Sequence, residues 1–177
     1  MNGGGKSSVT LSINDDGTVT LVEGSADIGG TRPSIAMQAA EILGITAEDM
    51  FPRIADTDGV GYTGMTGGSR TTFATGWAAV NAAKNLIVEL KNRLSMIWEV
   101  DSSEILFEDG NFYSKSDPEL SITFKNLAGK LDGTGGPVSA VGAVDLDSSS
   151  HGFGTHIVDL QIDCLLYTSP SPRDVEE

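Results

Sequence analysis

Apolar and polar residues alternate through 8–13 and again through 18–22, with Asp15-Asp16-Gly17 between the two runs. Strict alternation puts every second side chain on one face of a strand, and an Asp-Gly step supplies the turn, so the chain is predicted to open with a β-hairpin. The period then changes. An Ala-rich run over 34–43 follows Thr31-Arg32-Pro33 and stops at Gly44. Proline in the first turn and glycine just past the end mark a helix, with Ile35, Ala39 and Ile42 on its buried face. Thr46-Ala47-Glu48-Asp49 reads as a short capped turn and 51–57 as a strand. Over 72–98, Phe73, Trp77, Val80, Ala83, Ile87, Leu90, Leu94 and Ile97 recur at steps of three and four, which predicts a long helix with that stripe toward the core.

Beyond the long helix, Asp109-Gly110-Asn111 separates two short apolar runs within 105–113, the pattern of a second hairpin. Residues 121–131 read as a short helix and 132–137 as loop. A last strand is expected over 156–163, where His156, Val158, Leu160 and Ile162 alternate with Ile157, Asp159, Gln161 and Asp163. Periodicity is lost from Cys164 onward, and Pro170 and Pro172 would interrupt any ladder. The chain is therefore expected to hold one partial domain over 1–163, with 164–177 a non-native or disordered tail whose wording is similar to translated adapter sequence. These elements make the class α+β: β-hairpins and a mixed sheet packed against two main helices.

The charge balance narrows the partners. Net charge is −14, with 25 acidic residues spread along 177, which disfavours affinity for phosphate backbones and excludes nucleic acid as an expected partner. Apolar stretches fall well short of a membrane span. The single cysteine, Cys164, forms no intramolecular disulfide and no iron–sulfur or zinc cluster. A reducing compartment fits, so cytoplasmic localisation is expected, with the periplasm as the alternative.

Two glycine-rich segments stand immediately before the two main helices: Asp27-Ile28-Gly29-Gly30-Thr31 and Gly64-Met65-Thr66-Gly67-Gly68-Ser69-Arg70-Thr71-Thr72. Glycine removes the Cβ that keeps a ligand away from backbone N–H groups, and a helix N-terminus adds unsatisfied donors suited to an anion. Thr66, Ser69, Thr71 and Thr72 contribute hydroxyls and Arg70 a fork of donors. Spacing alone leaves two readings open, a ligand cradle and loops tightened for packing. Other candidates are weaker. His151 and His156 with Asp159 lack the convergence of a metal site, Ser69 has no histidine near it in sequence, and Asp56 and Asp58 fit turn hydrogen bonding better than metal ligation.

Four segments in order carry a resemblance: Gly24-Ser25-Ala26-Asp27-Ile28-Gly29-Gly30-Thr31, Ala39-Ala40-Glu41-Ile42-Leu43-Gly44-Ile45, Ala55-Asp56-Thr57-Asp58 and Gly67-Gly68-Ser69-Arg70-Thr71-Thr72. Together they resemble the molybdopterin-binding large subunit of the xanthine dehydrogenase and aldehyde oxidase family, over residues 8–163. The resemblance implies that Gly29, Gly30 and Thr31 lie beside the metal end of a molybdenum-pterin cofactor (molybdopterin or its cytosine dinucleotide). It implies that Gly67, Gly68, Ser69, Arg70 and Thr71 wrap the pterin and its phosphate. It also implies as partners the remainder of a large subunit together with iron–sulfur and flavin subunits. Many members place a glutamine in the first loop, where Gly29 here offers backbone only. The family's catalytic glutamate follows a glycine, and no Gly-Glu pair occurs in these 177 residues. No catalytic residue is therefore expected here and no turnover by this chain alone, only a share in holding the cofactor of the full-length subunit. A non-enzymatic anion- or nucleotide-binding module, or a structural interaction domain, is the alternative.

Overall fold

The structure is a computed structural model that describes residues 5–54, 56–148 and 154–160. Strands β1 (Gly5–Ile13) and β2 (Val19–Glu23) form the expected hairpin, paired antiparallel from Val9 opposite Glu23 to Ile13 opposite Val19. Alternation sets their faces: Val9, Leu11 and Ile13 on β1, and Val19 and Leu21 on β2, point into the core. Helix α1 (Thr31–Leu43) then crosses over and returns the chain as β3 (Met50–Ile54), parallel to β2. Gly44 terminates α1 in the left-handed conformation, as its place past the apolar run predicts.

Helix α2 (Thr71–Trp98) is the central beam, and β7 (Ser139–Leu146) closes the main sheet in the order β3-β2-β1-β7. Both helices lie on the core face of that sheet. Between α2 and β7 a small antiparallel sheet forms from β4 (Ile105–Glu108), β5 (Asn111–Ser114) and β6 (Ser121–Thr123). The β4–β5 turn has positive φ at both Asp109 and Gly110, as a tight hairpin requires. Helix α3 (Phe124–Ala128) follows, capped by Thr123 Oγ1 accepting from Asn126 N at 3.1 Å. The architecture is the mixed α and β arrangement expected.

Three expectations are corrected. The buried face of α2 is not the stripe of large residues in its first half. Ala74, Ala78, Ala79 and Ala82 are at 0% exposure, as is Ala83 of the expected stripe, whereas Trp77 is 46% exposed; in the last turn Ile97 is 37% exposed. Small residues let the helix axis approach the sheet, and a tryptophan on that side would hold it off. Residues 121–131 are not one helix, because Ile122 pairs with Phe112 across β5 and β6 before α3 begins. The third correction concerns the last strand: 154–160 carry no strand and Ile157, Val158 and Leu160 are 86%, 73% and 80% exposed, while Ile162 lies outside the described residues. The place beside β1 belongs to β7, whose inward residues include Ala140 and Gly142 while Val141 points out at 57% exposure. A strand with small residues inward shows no apolar alternation in sequence. The boundary expected at 163/164 also lies outside the described residues.

Gly142 explains the tightness of this contact. A Cβ there would overlap the Ala78 carbonyl and the Ala82 amide of α2. Nearby, Asn85 Nδ2 donates to Val141 O at 2.9 Å and Asn81 Nδ2 to Ala143 O at 3.4 Å, so one turn of helix holds the strand by polar as well as steric means. Gly142→Val is expected to destabilise the chain by about 3 kcal/mol, since over-packing against backbone cannot relax through a rotamer. For a domain of this size that lowers the melting temperature by roughly 6–12 °C. Val141→Thr, on the exposed side, is expected to stay within about 0.5 kcal/mol. Thermal denaturation of the two variants side by side checks the assignment of faces.

Candidate functional site

The two glycine-rich segments meet. Packing of α1 against α2 brings them together: Gln38 Nε2 donates to Thr72 O at 3.4 Å, and Gly76 sits where any side chain would strike the Gln38 amide. Between the loops lies a cleft of about 420 Å³ lined by Ile28 and Thr31 from the first and by Thr66, Gly67, Ser69, Arg70, Thr71 and Thr72 from the second. Of the residues singled out from sequence, Thr31, Gly67, Ser69, Arg70 and Thr71 line it. Gly29, Gly30 and Gly68 do not line it and instead supply left-handed backbone, with φ of 64°, 82° and 61°. Ile28, Thr66 and Thr72 complete the lining; the hydroxyls of the last two are legible in the glycine-rich run, whereas Ile28 carries no chemical signal.

The two helix entrances differ electrostatically. At α1 the Asp27 carboxylate already occupies the terminus: Oδ1 accepts from Arg32 N at 3.1 Å, and Oδ2 accepts from Arg32 Nε at 3.2 Å and Nη2 at 3.0 Å. These contacts, the Arg32 backbone N–H first, hold the Asp27 carboxyl below the usual aspartate range. Helix α2 has no acidic residue in its first turn and no side-chain cap. Thr71 and Thr72 of its first turn line the cleft, and a helix start of this kind offers N–H groups and the positive end of a dipole.

Conformation and space separate the glycines. Gly29, Gly30 and Gly68 need positive φ, so their identity follows from the backbone. Gly67 does not have positive φ, and a Cβ built on it meets nothing within 4 Å. Neither close packing among the described residues nor a positive φ requires glycine there, although it lines the cleft. Ser69 is the reverse case, a non-glycine residue at φ 59°. Such a conformation costs on the order of 1 kcal/mol and is typical of ligand-facing loops.

Arg70 is 7% exposed, with its guanidinium turned onto backbone. Nη1 donates to Gly64 O at 2.7 Å and Met65 O at 3.3 Å, and Nη2 to Lys6 O at 2.8 Å and Ser7 Oγ at 3.4 Å. Asp56 works as a turn acceptor, its Oδ1 taking Asp58 N at 3.1 Å. Among the described residues no group of three or more His, Cys, Asp or Glu side chains converges on a metal position, and His156 and Asp159 are exposed. His151 lies outside the described residues. No helix among them is long and apolar enough to cross a membrane.

One titratable group at the root of the first loop gives no signal in the sequence. Glu23 continues the inward row of Val19 and Leu21 and is 1% exposed, with Oε2 accepting from Ser25 N and Oγ. Burial pushes its carboxyl above the ordinary value of 4.5, against the lowering effect of the Ser25 contacts. The folded state thus favours the protonated form. That contribution is complete below the ordinary glutamate pKa and is lost as pH rises through the elevated one. Glu23→Gln, which keeps an acceptor for Ser25 and cannot ionise, is expected to match the parent at low pH and to exceed its stability increasingly toward pH 8. Parallel melting curves across that range test the sign; a parent that gains stability relative to the variant as pH rises refutes it.

Residues 1–170 match the model of a molybdopterin cofactor-binding domain. The chain is 28% identical over 166 residues to a probable xanthine dehydrogenase subunit of Bacillus subtilis (strain 168), covering 88% of this chain and 22% of that protein. It is 27% identical over 164 residues to the carbon monoxide dehydrogenase large chain of Afipia carboxidovorans, covering 88% and 20%. In structure it superposes on Cu,Mo-CO dehydrogenase with TM-score 0.73 at 27% identity, over 78% of this chain and 18% of that one. It shares its fold with quinoline 2-oxidoreductase from Pseudomonas putida 86, with TM-score 0.64 at 24% identity, over 80% and 19%. The chain thus spans about a fifth of the length of these relatives.

Proposed function

The chain belongs to the molybdopterin cofactor-binding domain family, and from that premise we propose that its two glycine loops form one wall of the site that holds a molybdenum-pterin cofactor in a larger oxidoreductase subunit. The observation that carries this reading is the cleft itself. Two segments far apart in sequence converge on one cavity, and Gly67, which lines it, has neither a positive φ nor a close neighbour among the described residues.

The residues present fit such a group. Molybdopterin carries a phosphate, and the acid-free entrance of α2 with the hydroxyls of Thr66, Ser69 and Thr71 is an anion-favouring donor set. Gly67, Ser69 and Thr71 would take the pterin and phosphate side, with Gly68 and Arg70 shaping the loop that carries them. The α1 entrance is already filled by Asp27, so Thr31 would face a less anionic part of the ligand, toward the metal end, with Gly29 and Gly30 supplying the left-handed backbone that brings it there. When bound, the cofactor supplies the two-electron redox chemistry of the subunit. The work of this chain is to bind and orient it and to exclude water from one side. A base for proton transfer and the electron path outward would come from the remainder of the large subunit and from iron–sulfur and flavin partners, as would the choice of substrate.

Gly67→Val separates ligand contact from folding. Because its Cβ meets open space, the substitution is expected to change stability by no more than about 0.5 kcal/mol. In the complete subunit the same branched side chain enters the cleft, and molybdenum and pterin content are expected to fall at least tenfold. Metal analysis and pterin fluorescence of the purified subunit provide the measurement. Full cofactor content with Gly67→Val would overturn the placement, and tight binding of inorganic phosphate or a nucleotide by the chain alone, with no cofactor in the complete subunit, would favour a non-enzymatic anion-binding module.

A further inference from the structure

The second loop is clamped against β1 by the Arg70 side chain. Lys6 O, on β1, accepts both Gly64 N at 2.9 Å and Arg70 Nη2 at 2.8 Å. The same guanidinium reaches Gly64 O and Met65 O through Nη1, while Arg70 N donates to Gly67 O at 3.4 Å. Ser7 Oγ, touched by Nη2, is also 2.9 Å from Thr75 Oγ1 in the second turn of α2. Strand, loop and helix are thereby closed into one ring of hydrogen bonds with Arg70 at its centre. The glycines flanking it leave the plane of the guanidinium its room: a Cβ on Gly64 would stand 3.2 Å from Cζ and Nη1, and one on Gly5 3.3 Å from Nε.

We propose that Arg70 is a positioning residue of the cofactor cleft, which sets the shape of the 64–70 loop by holding its carbonyls against β1, and that Gly64 is glycine to admit that guanidinium. A guanidinium presents several N–H donors in one fixed plane and serves acceptors on two segments together; an ammonium is a point donor on a flexible stem and does not span them. The inference rests on the cofactor-site reading for its functional consequence and on the hydrogen-bond ring alone for its structural one.

Three variants of the full chain test it: Arg70→Lys, Gly64→Ala, and Leu94→Val as a control that removes a buried methylene far along α2 from the cleft. In hydrogen exchange, the amides of 65–70 are expected to exchange at least tenfold faster in Arg70→Lys than in Leu94→Val at equal global stability, adjusted by denaturant. Gly64→Ala is expected to speed the same amides in the parent and to add nothing in the Arg70→Lys background, since both act through one contact. In the complete subunit, molybdenum content is expected to drop at least fivefold with Arg70→Lys and to hold with Leu94→Val. Unchanged exchange over 65–70 with Arg70→Lys, additive effects of the two substitutions, or equal loss of metal in the control would each overturn the proposal. If Gly67→Val empties the site and Arg70→Lys does not, the clamp fails and the site stands. If Gly67→Val leaves the metal in place while exchange responds as expected, the cofactor reading fails and the clamp is a feature of the fold.

Discussion

The structure depends on how close α2 comes to the sheet. Helix and β7 touch backbone to backbone at Gly142, against the Ala78 carbonyl and the Ala82 amide, and the row of alanines from Ala74 to Ala83 continues that contact. Dense packing of small groups leaves no cavity for a side chain to relax into, so the helix is fixed in translation and rotation. That fixes its first turn. Thr71 and Thr72 stand where α1 meets α2 through Gln38 and Gly76, and the cleft between the loops follows from this geometry. A site made of loops is held to the accuracy of a helix because both loops end in helix N-termini.

Sequence pattern is most informative where the period is supported by end signals. The β1–β2 hairpin, α1 with its Gly44 cap, the length of α2 and the β4–β5 turn are all legible, because each couples an apolar period to a glycine, proline or aspartate with one backbone consequence. Pattern misleads where the core face is built from small residues. In the first half of α2, Ala74 and Ala78 are buried and Trp77 is half exposed, the inverse of what hydrophobicity ranks. Strand β7 escapes the pattern for the same reason, and 156–160 imitates a strand because its apolar residues are large. Burial follows fit to a neighbour, which periodicity does not encode. The glycine loops are recognisable as a pair from their positions before helices, but telling the glycines apart requires φ and space: Gly68 has φ 61°, whereas Gly67 has no positive φ and no close neighbour among the described residues.

Arg70 illustrates the limit of reading chemistry from residue type. A basic residue in a glycine-rich loop suggests an anion partner, and its chain position fits that equally well. In the structure its Nη atoms serve carbonyls of Lys6, Gly64 and Met65, so its first effect on any ligand is through the loop it holds. Asp27 is the counterpart at the other loop. An acid beside an expected metal end looks like a ligand, but its carboxylate is engaged by Arg32 and by the α1 terminus.

A chain with net charge −14 is an unpromising host for an anionic cofactor, and the arrangement of its charges resolves the difficulty. Long-range fields between exposed groups are screened within roughly 10 Å at ordinary ionic strength, so the charge that matters is the charge at the cleft. There the second loop carries hydroxyls and an arginine, and no carboxylate stands in the first turn of α2. Asp27, hydrogen-bonded to the cleft-lining Thr31, is paired with Arg32. What the local donors can contribute is still set by the dielectric around them: open to water on one side, N–H groups and hydroxyls bind a phosphate weakly, and the same donors gain strength several-fold once a covering wall excludes solvent. On the proposed reading, a cleft of this construction would be a half-site, whose affinity is expressed only when the opposite wall is in place.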